Sequence, residues 1–112
     1  MVSNNTCKMV GEGYCPCPLE QVNEKLSKKW TLSILVTIGN FNKLRFSQLQ
    51  EKIGINSKTL SNRLKELEKL FLIKRKIFYQ IPPKVEYSLT NKGVKLRNAV
   101  VPLMNWAEKQ FT

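Results

Sequence analysis

The segment from Ser47 to Phe71 holds two amphipathic stretches broken by a single glycine, and this limits the chain more than any other feature. Ser47 followed by Gln50 has the spacing of a capping box, in which the two residues satisfy each other's open backbone N–H groups at a helix start. A short helix over 48–53 is expected, closed by Gly54, which turns left-handed past a helix end without a Cβ penalty. Ile55 and Asn56 form the turn. Ser57 then caps a longer helix reaching about Phe71, with Leu60, Leu64, Leu67 and Phe71 on one stripe. Burying that stripe leaves a polar face outward. A short helix, a tight turn and a longer polar-faced helix make the helix-turn-helix arrangement.

The flanking segments fit around this unit. Pro18 suits a first helical turn, where its missing N–H costs nothing. Leu19, Val22 and Leu26 then recur at helical spacing to an end near 27–29. Trp30 to Ile38 is apolar on most sides, which predicts a centrally buried helix closed by Gly39, although its β-branched content also permits a strand. Ile73 to Tyr79 alternates, with Ile73, Arg75, Ile77 and Tyr79 on one side and Lys74, Lys76 and Phe78 on the other, as in a strand. Gln80 to Lys84 breaks the run with two prolines, and Val85 to Leu89 forms a second strand. Thr90 or Asn91 caps a last helix to about Phe111, with Leu96, Val100, Leu103, Met104, Ala107 and Phe111 on its apolar face. Pro102 is expected to kink or break it. The expected fold is α+β, mostly α: a winged helix-turn-helix with a two-stranded wing and terminal dimerisation helices. Residues 1–16 read as a cysteine-containing arm and 17–112 as the domain.

A chain of 112 residues fits one domain. No stretch approaches the ~20 unbroken apolar residues that span a bilayer. Met1 to Val10 lacks the apolar core of a signal peptide, so no membrane association and a cytoplasmic location are expected. Nineteen Lys and Arg face eight acids, a formal net charge of +11 that attracts polyanions. The excess is concentrated: Lys58, Arg63, Lys65, Lys69, Lys74, Arg75, Lys76 and Lys84 stand against Glu66 and Glu68 alone, whereas residues 1–27 are slightly acidic. There is no His, which removes the commonest general base and metal ligand. No catalytic constellation is found, so neither an enzyme nor a cofactor is expected.

Four strings, in order, bear a resemblance to the HxlR-type regulators, relatives of the MarR class. Cys17-Pro18 with Lys29-Trp30-Thr31-Leu32 and Ile34-Leu35 is similar to their opening. Arg45-Phe46-Ser47-Gln48-Leu49 resembles the approach to their helix-turn-helix. Ser57-Lys58-Thr59-Leu60 with Arg63-Leu64-Lys65-Glu66-Leu67 resembles their recognition helix. Pro83 to Thr90, followed by Gly93 and Leu96, is similar to their wing return. The resemblance implies a homodimeric double-stranded DNA-binding transcription factor paired through its terminal helices.

On that reading the helix from Ser57 enters the major groove, where each base pair shows a distinct donor and acceptor pattern. Lys58, Thr59, Asn62 and Arg63 are the candidates for base edges, with Ser61 and Lys65 on the same outer face. Ser57 caps the helix, contacts phosphate, or both. Arg45, Ser47 and Gln48 stand where phosphates are gripped, and Lys74, Lys76 and Lys84 are the wing's candidates for phosphate or the minor groove. Lys74 and Lys76 share a side with Phe78, so a wholly basic wing is not expected. Leu19, Val22, Leu103, Met104, Trp106 and Phe111 are candidate dimerisation residues, with intrachain core as the alternative. A dimer predicts a pseudo-palindromic operator with half-sites about 34–36 Å apart. A winged helix serving protein interaction, or non-specific architectural DNA binding, is the alternative function. No small-molecule effector can be named from the sequence.

Cys7, Cys15 and Cys17 lie within eleven residues. Without His they cannot complete a tetrahedral zinc site in one chain, so no metal is expected. An odd count points to free or redox-active thiols. Cys17 precedes a helix start, where the dipole favours negative charge. The resemblance adds that some HxlR-type proteins sense oxidants through a cysteine at this position. Two readings of Cys17 stay open: a thiol whose oxidation tunes DNA binding, through Cys7, Cys15 or a partner chain, or a small apolar residue in a dimer contact.

Overall fold

A computed structural model describes residues 13–111. Its elements are α1 (Pro18–Leu26), α2 (Thr31–Phe41), β1 (Leu44–Arg45), α3 (Phe46–Ile53), α4 (Ser57–Lys69), β2 (Ile73–Phe78), β3 (Lys84–Leu89) and α5 (Asn91–Phe111). The chain divides into two compact units between Leu32 and Ser33, inside α2.

In the first unit Pro18 opens α1, as its fixed φ favours. The helix buries none of its residues, and Leu19 and Val22 are exposed. Trp30 has φ 81°, with the Lys29 ammonium 4.9 Å from its ring centroid.

In the second unit the core comprises Ile34, Leu35 and Ile38 of α2, Leu44 of β1, Leu49 of α3, Leu60, Leu64 and Leu67 of α4, with Ile55, Leu72 and Ile73. The apolar run expected to be buried in α2 and the leucines of the stripe expected on α4 therefore supply the core. Each such aliphatic contributes about 1.5–3 kcal/mol by leaving water. The sheet is antiparallel in the order β1-β3-β2, so β3 is central. Leu44 pairs with Tyr87 and Arg45 with Glu86, which adds a third strand to the two expected.

Several local readings are corrected. α3 begins two residues early, at Phe46, because Arg45 takes the cap position and its N–H donates to Gln48 Oε1 at 2.9 Å. The capping pair is thus Arg45 with Gln48, not Ser47 with Gln50. Asn56, not Ser57, caps α4: its Oδ1 accepts from the Thr59 N–H at 2.8 Å. The helix stops at Lys69 because Phe71 has φ 60°. The Leu72 N–H reaches Leu67 O at 3.0 Å and the Phe71 N–H reaches Glu68 O at 2.9 Å, which is the Schellman closure. That reversal throws Phe71 into solvent, 73% exposed, off the stripe it was expected to extend.

Gly39 lies within α2, and Asn42 supplies the left-handed residue beyond it, φ 64°. A Cβ at Gly39 would fall on the Arg97 side chain, which crosses it to donate to Asn40 Oδ1 at 2.6 Å. Gly54 does close α3, φ 74°, its N–H bonded to Gln50 O at 2.8 Å. Thr90 caps α5, its Oγ1 accepting from the Gly93 N–H at 3.1 Å and donating to Phe71 O at 2.6 Å. α5 runs unbroken through Pro102.

Candidate functional site

Because Leu60, Leu64 and Leu67 all face inward, α4 must present its other residues to solvent. Ser57, Lys58, Asn62 and Lys65 are exposed; Thr59, Ser61 and Arg63 are half-buried. The α4 surface near its N-terminus therefore offers a hydroxyl, an ammonium and an amide within two turns. Arg63 is drawn back along the helix, its Nη1 3.1 Å from Glu66 Oε1. It lies on the predicted face but is engaged by a neighbour one turn on.

Arg45 and Ser47 are exposed at the start of α3. Gln48 is exposed too, with its carbonyl oxygen held by the Arg45 N–H. Arg45 belongs equally to β1, so this group is continuous with the sheet.

Antiparallel partners project to the same face of a sheet. Arg45, Glu86 and Lys76 form one such row, Ser88 and Lys74 the next, and Lys84 with Phe78 a third. Lys43, just before β1, joins Lys74, Arg75, Lys76, Glu86 and Ser88 around a shallow cavity of about 380 Å³. This face is more cationic than the hairpin pattern alone implied. Its acid, Glu86, is paired with Lys84 at 3.3 Å. The Lys76 and Lys84 ammonium groups lie 4.9 and 5.0 Å from the Phe78 ring centroid, close enough for cation–π attraction. Sequence reasoning missed Lys43, and counted Arg75 in the basic cluster without naming it as a contact residue. A two-residue strand carries no periodicity, so nothing marked Lys43 as a neighbour of the hairpin.

On the opposite face Tyr87 pairs with Arg75 and Leu44. Burial pushes its hydroxyl above the ordinary value of 10.0; the Arg75 guanidinium opposes that shift and the Glu68 carboxylate adds to it. No group of His, Cys, Asp or Glu among the described residues is arranged to hold a metal.

Of the predicted pairing residues on α5, Leu103, Met104, Trp106 and Phe111 are all exposed. The Trp106 and Phe111 rings meet edge to face, centroids 5.7 Å apart. Leu19 and Val22 are likewise exposed on α1. Among the cysteines, Cys17 is a half-buried free thiol at the start of α1 and Cys15 is disulfide-bonded. Cys7 lies outside the described residues. No helix among the described residues is long and apolar enough to cross a membrane.

The description of the HxlR-like helix-turn-helix family matches residues 25–112. An uncharacterised HTH-type transcriptional regulator of Halalkalibacterium halodurans is 45% identical over 82 residues, covering 72% of this chain and 73% of that protein. The reduced form of the transcriptional regulator YodB from Bacillus subtilis superposes with a TM-score of 0.73 at 34% identity, over 88% of this chain and 95% of that one. The redox regulator HypR in its oxidised form gives 0.75 at 32% identity, over 83% and 96%.

Proposed function

Since the chain belongs to the HxlR-like helix-turn-helix family of transcriptional regulators, we propose that it acts as a homodimer binding double-stranded DNA sequence-specifically, with α4 in the major groove. The observation that carries this reading is the outward face of α4, polar and cationic over a fully apolar inner stripe. A helix used to dock a protein partner would show apolar residues there.

Lys58, Thr59 and Asn62 reach base edges, Asn62 with the amide geometry that pairs bidentately with adenine. Arg63 joins them by exchanging Glu66 for a guanine edge. Ser57, Ser61 and Lys65 flank them. Arg45, Ser47, Gln48, Lys74, Lys76 and Lys84 meet phosphates, and the sheet geometry supports adding Lys43. Dimerisation uses Leu103, Met104, Trp106 and Phe111 of α5 and, separately, Leu19 and Val22 of α1. In this scheme residues 1–16 form the arm and 17–112 the DNA-binding domain.

Cys17 tunes the affinity. Hydrogen peroxide transfers hydroxyl to its thiolate sulfur, giving a sulfenic acid and hydroxide, which is protonated to water. Because Cys15 is already disulfide-bonded, the second thiol is the same cysteine of a partner chain, whose sulfur attacks the sulfenic acid and forms an intermolecular disulfide with loss of a further water. The free thiol at Cys17 and the likeness to two redox-studied regulators support this.

The test is a selection of duplexes from a random pool, followed by anisotropy titrations of the recovered and scrambled sequences at several salt concentrations. Preference for the recovered duplex, with affinity falling steeply in salt, is expected. Equal binding to both would leave an architectural role, and binding to neither would end the DNA reading. Peroxide that leaves the affinity of the reduced protein unchanged would remove the redox switch.

A further inference from the structure

Between Lys76 and Lys84 the chain runs for seven residues, Ile77 to Pro83, with no charge, although the protein carries +11. This stretch is the end of the β2–β3 hairpin. Ile81 is fully exposed and Tyr79 is 92% exposed. A hairpin tip is ordinarily built from Gly, Asn or Asp, which satisfy the turn and favour water. Here it holds an isoleucine and a tyrosine followed by two prolines, whose rings fix φ and remove two N–H donors. Neither side chain is buried by its own fold.

Directly beneath the tip the cations resume. Lys76 and Lys84 lean on Phe78 from opposite strands, and Lys74, Lys43 and Arg45 continue the positive face down the sheet. An apolar point on a cationic stem is complementary to a duplex groove, where a low-charge floor of bases lies between two phosphate rails. The minor groove is about 6 Å wide, enough for one aliphatic side chain but not for a hairpin.

We propose that the wing tip is an apolar wedge. Ile81 enters the minor groove and partly unstacks one base step, Tyr79 lies along the sugars, and Lys76 and Lys84 hold the flanking phosphates. The duplex bends away from the inserted residue, as apolar insertions at a base step cause. Pyrimidine–purine steps unstack most easily, so the wing favours TA or CA at that point without any hydrogen bond to a base. This rests on the DNA-binding reading above.

The probe is a duplex recovered by selection with the wild-type protein, labelled at its ends for energy transfer. The proteins are the full-length wild type, Ile81→Ser, Tyr79→Ser and Ile81→Leu. All three substitutions lie outside the core, so folding is not at issue, and circular dichroism checks it. Wild type and Ile81→Leu should shorten the end-to-end distance. Ile81→Ser should abolish the shortening and weaken binding about tenfold with the salt slope unchanged, and Tyr79→Ser should act in the same direction. Changing the step under the wing from TA to GG should weaken wild type but not Ile81→Ser. A wild-type complex that is straight, or an Ile81→Ser complex bent and bound as wild type, overturns the wedge while leaving DNA binding intact. If no duplex is bound, both readings fall together. Ile81-dependent binding to phosphatidylglycerol vesicles, with DNA binding indifferent to Ile81, would assign the tip to a membrane instead and overturn the proposal.

Discussion

Gly93 and Leu72 meet backbone to backbone: a Cβ placed on Gly93 would clash with the carbonyl oxygen of Leu72. The same oxygen accepts the Thr90 N–H at 3.1 Å, so it cannot retreat without breaking the junction between the α4–β2 turn and α5. Lys92 reinforces that junction through Leu70 O at 3.0 Å. Gly93→Ala should therefore cost about 2–3 kcal/mol, the upper part of the range for forcing an extra carbon into a closed site. Urea denaturation checks it, and a stability within error of wild type would show that the helix shifts freely.

The assignment of Asn56 as the α4 cap separates two adjacent residues that sequence patterns treat alike. Asn56→Ala leaves the Thr59 N–H without its 2.8 Å partner and should lower stability by about 1 kcal/mol. Ser57→Ala touches no cap and should stay within about 0.5 kcal/mol. The reverse order of the two losses would return the cap to Ser57.

The contrast between those residues shows what the sequence makes legible. The stripe Leu60–Leu64–Leu67 is a strong periodic signal and the run from Trp30 to Ile38 a strong apolar one, and Leu60, Leu64, Leu67, Ile34, Leu35 and Ile38 are buried. The alternation of Ile73 to Phe78 likewise identified a strand. What failed was the exact residue at a helix end: Ser57 for Asn56, Ser47 for Arg45, Gly39 for Asn42. At the two helix starts a local bond three residues apart chose, Asn56 with Thr59 and Arg45 with Gln48; at Gly39 tertiary packing chose, since Arg97 lies across it and needs its missing side chain. Phe71 was misplaced because periodicity cannot show where a chain turns left-handed. β1 was invisible because two residues make no pattern, and with it went Lys43. The outer face of α4 was readable because it is the complement of a legible core.

Lys43 and Asn62 should behave differently toward DNA. A lysine on the sheet face meets phosphate, so Lys43→Ala should weaken recovered and scrambled duplexes by the same factor. It should also reduce the magnitude of the logarithmic salt slope by about 0.9 for each phosphate no longer neutralised, which counts twice when both subunits of a dimer engage the duplex. Asn62→Ala should cost about 1–3 kcal/mol on the recovered duplex and almost nothing on the scrambled one, with the salt slope unchanged. Anisotropy titrations of both variants on both duplexes decide the matter. Matching selectivity losses would mean that the sheet face reads sequence or that α4 does not.

Tyr87 gives the fold an alkaline limit of its own. Burial raises the folded-state pKa above the ordinary 10.0, so the native state holds this proton more tightly than the unfolded chain does. The stabilisation from that difference is complete below the unfolded value. It is lost as pH rises from the unfolded value through the folded one, because only the unfolded chain gains from ionising in that window. Lysine deprotonation also falls there, so the readout is a difference between two proteins. Urea midpoints of wild type and Tyr87→Phe, followed from about pH 8 to about pH 11, should run parallel at first and converge or cross at the alkaline end, with wild type falling faster. Arg75 opposes the shift, so Arg75→Gln should raise the folded pKa further and lose more stability at the alkaline end than wild type does. Curves that stay parallel to the end of the range would show that the Tyr87 hydroxyl is as well hydrated in the folded protein as in the unfolded chain.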